Sequence, residues 1–174
     1  MRTPLFLIGS LLLAVAAVSA SAQRPIHLGL SAGITPSLDG SWERGYRGSH
    51  VQATLELAPA DRRVGLRLDG FVHNMERTRY PGLSGRTEVI GGTASALVGL
   101  GPLDRSLTPY ILAGAGTYRT EYGSPAPEWH FGISGGAGIR FQTGPVAVFA
   151  EARLHQIGDG STPRLVPVSF GIRF

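Results

Sequence analysis

The chain has 174 residues, a formal net charge of +4 and no cysteine. Without cysteine it can form neither disulfides nor thiolate metal sites, and it cannot carry a lipid on a cysteine. Its basic residues are all arginines scattered along the sequence, so its basic charge does not predict nucleic-acid binding. The 25 glycines and the 16% of charged residues fit a β-barrel, in which small residues permit strong strand curvature.

The N-terminal segment has the organisation of a secretory signal peptide. Arg2 precedes an apolar stretch from Leu5 to Val18, and Ala20-Ser21-Ala22 has the small-x-small pattern of a cleavage site. The apolar stretch is too short to cross a bilayer as a helix. We therefore expect residues 1–22 to be a cleaved signal peptide and residues 23–174 to form one domain, with a signal anchor as the alternative.

Alternation of apolar with small or polar residues, the pattern of a half-buried strand, recurs along the mature chain. The fifth segment is ambiguous in phase, because both of its faces are apolar or small. In chain order the predicted strands are Ile26–Thr35, Ser49–Ala58, Val64–Asn74, Thr87–Leu100, Thr108–Tyr118, Trp129–Phe141, Val146–His155 and Val166–Phe174.

The last predicted strand ends the chain on an aromatic residue. Val168, Phe170, Ile172 and Phe174 lie on one face, together with Val166. A barrel that closes in lipid needs this arrangement, because its outer face must be apolar and its last strand must pair with its first.

The connections between these segments alternate between long and short. In order they are 36–48, 59–63, 75–86, 101–107, 119–128, 142–145 and 156–163. Outer-membrane barrels have short periplasmic turns and longer external loops. The alternation therefore predicts that both termini are periplasmic and that the loops after odd-numbered strands are external.

The whole mature chain resembles the small outer-membrane β-barrel family, the OmpA-transmembrane and OmpX-like eight-stranded proteins. The resemblance rests on the signal peptide, on Pro109–Gly116 (PYILAGAG), on Phe149–Arg153 (FAEAR) and on Pro167–Phe174 (PVSFGIRF). The last of these is similar to the C-terminal signal of such barrels, which implies recognition by the barrel-assembly machinery. We expect no periplasmic domain of the kind found in full-length OmpA-type proteins, so the resemblance does not imply cell-wall anchoring.

The predicted inner face carries charges of both signs, and an eight-stranded barrel leaves room inside only for side chains. These charges are expected to pair, because isolated charges would be poorly solvated there. Across the two short turns we expect Glu56 beside Arg67 and Arg140 beside Glu151. We favour a polar plug over a gated ion path, with Phe71 and Phe149 covering glycines. The predicted lumen charges are Glu56, Arg67, Asp69, Arg140, Glu151, Arg153 and Arg173.

The histidines are expected to fill the polar interior of the barrel, and a catalytic role is the alternative. His73 and His155 lie near the external ends of their strands, and Asp69 on the same strand as His73 could complete an acid–base pair. The His-x-Ser arrangement of lipid A deacylases is absent from this sequence. No metal-ligand spacing, phosphate-binding glycine loop or nucleophile elbow occurs, so we expect no catalytic, cofactor or metal site.

The sequence thus predicts an all-β protein, an eight-stranded antiparallel up-and-down transmembrane barrel in the outer membrane. We expect a non-enzymatic monomer with a structural or surface-interaction role and a filled lumen. Its partners would be outer-membrane lipid and lipopolysaccharide, contacted by loop arginines such as Arg44, Arg79 and Arg86 and by loop aromatics such as Trp42 and Tyr80. The alternatives are a narrow channel for ions or small solutes, a lipid-modifying enzyme and a soluble lipocalin-like barrel.

Overall fold

The computed structural model describes residues 26–36, 47–58, 63–78, 84–101, 106–121, 128–158 and 164–174. These residues form eight strands, each hydrogen-bonded to its neighbours in sequence order, in one closed antiparallel barrel. The strands are β1 (Ile26–Pro36), β2 (Arg47–Leu57), β3 (Val64–Thr78), β4 (Ser84–Gly99), β5 (Leu107–Glu121), β6 (Glu128–Thr143), β7 (Val146–Ile157) and β8 (Val168–Arg173). The predicted fold class is confirmed.

Closure occurs between the first strand and the last. β1 pairs with β8 from Gly29 opposite Arg173 to Ile34 opposite Val168. Beyond the ladder, the Phe174 N–H donates to the Leu28 carbonyl at 2.8 Å, and the Leu28 N–H donates to the Phe174 carbonyl at 2.9 Å. Closure removes the unpaired strand edges that an open sheet would present.

The outer face of the barrel exposes many large apolar side chains, and most of the buried side chains are polar or charged. Phe170 is 66% exposed and Trp129 is 68% exposed, whereas the described charged residues of the lumen lie inside the wall. An apolar exterior is what a barrel in lipid requires. A soluble lipocalin-type barrel would need the face of Phe170 and Ile172 in its core, and the structure places that face outside.

The phase of β5, ambiguous in sequence, is set by the closed barrel. Tyr110, Leu112 and Tyr118 point inward and are buried, while Ile111 points outward and is 46% exposed. Two bulky tyrosines fit the interior because β6 offers glycines opposite them: Gly138 pairs with Tyr110, and Gly132 lies against Tyr118.

Aromatic side chains cover inward glycines in two further places, as predicted for Phe71 and Phe149. A Cβ added at Gly91 would lie 2.8 Å from the Phe71 ring, and one added at Gly171 would lie 2.5 Å from the Phe149 ring. Such coverage fills the lumen where a strand lacks a side chain of its own.

The two ends of the barrel differ. The end that holds residues 26 and 174 and the connections 58–63, 100–106 and 144–145 is termed the turn end, and the opposite end the loop end. The predicted alternation of long and short connections is not kept, because β3 to β6 extend further toward the loop end than the sequence suggested. The connection 79–83 is consequently shorter than 100–106.

The predicted signal peptide, residues 1–22, lies outside the described residues. The described part of the chain contains no helix with the length and hydropathy needed to cross a bilayer.

Candidate functional site

Four charged side chains from β3 and β7 form a closed ring of ion pairs in the middle of the lumen. Arg67 bridges the two carboxylates, at 2.9 Å to Asp69 and 2.7 Å to Glu151. Arg153 bridges the same two, at 2.9 Å to Asp69 and 3.0 Å to Glu151. We call these four residues the central charge ring. Its side chains are at most 2% exposed, and its charges alternate in sign and sum to zero.

Neutral side chains complete the hydrogen bonding of the ring. The Tyr110 hydroxyl donates to Glu151 at 2.8 Å, and the Thr54 hydroxyl donates to Asp69 at 2.8 Å. The Gln52 amide donates to Asp69 at 3.0 Å. A buried ion pair is favourable only when such additional bonds offset the desolvation of its charges. The central charge ring meets this condition.

A second group of charges lies at the turn end. Glu56 accepts hydrogen bonds from Arg140 at 2.7 Å and from Arg173 at 2.8 Å. The Arg140 guanidinium also lies over the ring of Tyr110, with its carbon 5.2 Å from the ring centroid. Glu56, Arg140 and Arg173 are termed the turn-end triad.

All seven charged residues assigned to the lumen from the sequence lie in these two groups, but the two ion pairs expected across the short turns do not form. Glu56 and Arg67 are register partners, yet Arg67 pairs with Asp69 and Glu151. Arg140 pairs with Glu56 from the other side of the lumen, not with Glu151 across the short turn. The error arises because long side chains in a narrow barrel reach across the lumen as easily as along the wall.

Three histidines form a layer between the central charge ring and the loop end. The Thr35 hydroxyl lies 2.9 Å from Nδ1 of both His50 and His73. His155 Nδ1 lies 2.8 Å from the Tyr118 hydroxyl, and the ring of Phe71 packs edge-on against His155 at 5.4 Å between centroids.

The pairing of His73 with Asp69, considered above as the alternative to interior filling, does not form, because Asp69 is held by Arg67 and Arg153 in the central charge ring. His73 bonds to Thr35 instead, which corresponds to interior filling. His50 also bonds to Thr35, at 2.9 Å, and to Ser169, at 2.8 Å. These residues are buried inside the barrel, and only the closed register brings β1, β2, β3 and β8 together here.

Comparison with known proteins identifies the fold. No protein-family profile matches the sequence, and no curated protein matches it. Among solved structures, neisserial surface protein A (NspA) superposes with a TM-score of 0.64 at 15% identity, covering 88% of this chain and 98% of that one. The chain has the fold of the small eight-stranded outer-membrane barrels.

Two other barrels of this fold are similar to the chain. Ail, the attachment invasion locus protein of Yersinia pestis, in complex with the heparin analogue sucrose octasulfate, gives a TM-score of 0.54 at 17% identity over 87% of this chain and all of that one. The N-terminal barrel domain of Pseudomonas aeruginosa OprF gives 0.52 at 13% identity over 87% of this chain and 99% of that one. At these identities the similarity establishes the fold alone, and at that level the resemblance seen in the sequence is confirmed.

The C-terminal segment lies where the barrel closes. Phe170 and Ile172 point outward from β8, and Phe174 is tied to Leu28 through its backbone. Val168 begins the ladder to β1, opposite Ile34. The residues of the predicted assembly signal therefore line the outer side of the closing seam.

The remaining sequence expectations concern ions and loops. Among the described residues, no group of three or more His, Cys, Asp or Glu side chains could hold a metal ion. Trp42, Tyr80, Arg44 and Arg79, and the side chain of Arg86, lie outside the described part of the chain.

Proposed function

We propose that the protein is a non-enzymatic, monomeric component of the bacterial outer membrane, with both termini in the periplasm and a structural or surface-interaction role. The observation that carries the proposal is the inverted distribution of side chains. Large apolar residues cover the outside, and a satisfied network of ion pairs occupies the inside. In water the apolar outer surface would drive aggregation. In a bilayer the apolar outer surface and the charged interior are both favourable.

The filled lumen favours a structural role over a channel. The central charge ring is at most 2% exposed, and Phe71 and the three histidines occupy the space above it. An ion crossing the barrel would have to separate several charge-assisted hydrogen bonds in a medium that solvates the freed charges poorly. The interior therefore acts as a plug that holds the wall together.

We infer that the loop end contacts anionic saccharide, lipopolysaccharide above all. The sequence places several arginines and aromatic residues in the loops that extend from this end. At the rim, Trp129 is 68% exposed next to its register partner Arg119, a combination suited to the boundary between lipid and charged headgroups. The complex of Ail with sucrose octasulfate supports the idea that a barrel of this fold can bind a sulfated polyanion.

During biogenesis, Val168, Phe170, Ile172 and Phe174 would be recognised by the barrel-assembly machinery. The proposal draws support from their position on the strand that closes the barrel, because a machine that delivers this strand to β1 would complete the fold.

The first test is the mobility of the protein on gels of outer-membrane fractions, with boiled and unboiled samples compared. A folded barrel resists the detergent, so we expect recovery in this fraction and a mobility shift on boiling. Recovery from the soluble periplasmic fraction without a shift would refute the membrane assignment.

Two further measurements test the absence of transport and of catalysis. Planar-bilayer recording of the purified barrel should give no steady conductance steps. Conductance steps that disappear when Glu151 or Arg153 is replaced would show that the central charge ring lines an ion path. That result would refute the proposal that the lumen is plugged. Mass analysis of lipid A from expressing and control cells should show no difference. A new lipid A species produced by the expressing cells would establish an enzymatic activity.

A further inference from the structure

Among the described residues, the ion-paired charges inside the barrel sum to a net positive charge, and the excess lies at the turn end. In the central charge ring two arginines face two carboxylates, and every one of the four is paired twice. In the turn-end triad two arginines share Glu56. Among the ion pairs of the described residues, neither Arg140 nor Arg173 has a second carboxylate partner.

The shared carboxylate does not satisfy the two guanidinium groups. Each carries five N–H donors. Arg140 uses one of its terminal nitrogens on Glu56, and its Nε is buried with no hydrogen-bond partner in the described part of the chain. Arg173 places its second terminal nitrogen 3.2 Å from the neutral amide oxygen of Gln142. Within the triad, as far as the described residues show, donor capacity and one positive charge therefore remain unmatched.

The triad is open to solvent only partly, and from one side. The side chains of Arg140 and Arg173 are 14% and 12% exposed, while that of Glu56 is 1% exposed. The buried central charge ring lies between the triad and the loop end. The exposed parts of the two arginines lie toward the turn end, where the surrounding protein leaves little water to screen their charge.

We propose that the turn-end mouth is a binding site for a small soluble oxyanion of the phosphate class, held between Arg140 and Arg173. The planar guanidinium fork donates two parallel hydrogen bonds to phosphate or carboxylate oxygens, and charge assistance strengthens them. A bound anion would neutralise the excess charge of the triad. The assignment goes beyond the proposed function and does not depend on which side of the membrane the turn end faces.

The test is a titration of the refolded barrel with inorganic phosphate, followed by NMR of protein labelled with ¹⁵N in arginine. The micelles are of dodecyl maltoside, whose headgroup is uncharged, and sodium chloride at equal ionic strength is the control. We expect the Nε–H signals of Arg140 and Arg173 to shift and saturate with phosphate but not with chloride. Shifts that grow linearly in both salts would overturn the proposal.

Three variants make the test specific. Arg173→Gln should weaken phosphate binding about tenfold, the effect of losing roughly 1.4 kcal/mol of charge-assisted hydrogen bonding. Glu56→Gln should strengthen binding, because it frees both guanidinium groups from their competing carboxylate. Arg63→Gln is the matched control: Arg63 is exposed at the same end of the barrel, so its removal changes the net charge equally and should leave the dissociation constant unchanged.

The outcomes separate the sources of the anion. Equal weakening by Arg173→Gln and Arg63→Gln would mean general charge attraction, and the site would be rejected. Saturation by phosphatidylglycerol added to the micelles, with no response to free phosphate, would assign the site to a lipid headgroup and refute a soluble ligand. If Glu56→Gln or Arg173→Gln does not refold, the comparison of phosphate with chloride on the unaltered protein still decides the proposal.

Discussion

Replacing Glu151 with glutamine removes one negative charge from the central charge ring and keeps the size of the side chain. Arg67 and Arg153 are then left with Asp69 as their shared carboxylate, inside a network at most 2% exposed. Removing one partner of a buried ion pair costs about 3–5 kcal/mol. Because both arginines keep Asp69, and the glutamine oxygen still accepts a hydrogen bond, we expect the lower end of this range, about 3 kcal/mol.

The free energy of unfolding can be measured by urea titration of the barrel in phospholipid vesicles, with tryptophan fluorescence as the signal. Trp129 lies on the outer face, so its emission changes when the barrel leaves the lipid. Glu121→Gln is the control: its partner is Arg119, both side chains are substantially exposed, and the expected cost is about 0.5 kcal/mol or less. The reasoning is refuted if Glu151→Gln costs no more than Glu121→Gln.

A double variant tests whether charge balance is the cause. Glu151→Gln combined with Arg153→Gln restores a neutral ring of Arg67 and Asp69. We expect the double variant to lose less stability than the sum of the two single variants, with a coupling energy of about 1–3 kcal/mol. Strict additivity would mean that the side chains contribute by filling space and not by pairing.

Other predictions concern the wall and the closing strand. Gly138→Val should destabilise the barrel by about 1–3 kcal/mol, because a Cβ there would meet the ring of Tyr110; the same urea titration measures it, and an unchanged midpoint would show that the tyrosine can move aside. Ile133→Arg, on the outer face near the middle of β6, should cost about 2–4 kcal/mol in vesicles, and a negligible cost would contradict a lipid-facing position. Deleting Phe174 should lower the amount of folded protein in outer membranes far more than deleting a loop residue, and normal levels on immunoblots would remove the assembly-signal argument.

Much of the wall could be read from the sequence because the period of a β-strand is two. The alternation in β7 assigns Glu151, Arg153 and His155 to one face and Val148 and Leu154 to the other, and the structure has the same faces. The ends of the strands were predicted less well from the sequence. β3 continues to Thr78 and β4 begins at Ser84, since hairpin pairing extends strands beyond the point where the apolar pattern stops.

The sequence by itself determined that the outside is apolar, that the inside is charged and which residues face each way, because these follow from local alternation. It did not determine the phase of β5, where Ala113 and Gly114 leave both faces small, or the partners of the lumen charges. Those depend on the register of the closed barrel, which brings Glu56 of β2 to Arg140 of β6 and Arg173 of β8. Neighbours on adjacent strands can be inferred from the chain, but contacts across a lumen exist only after the last strand has joined the first.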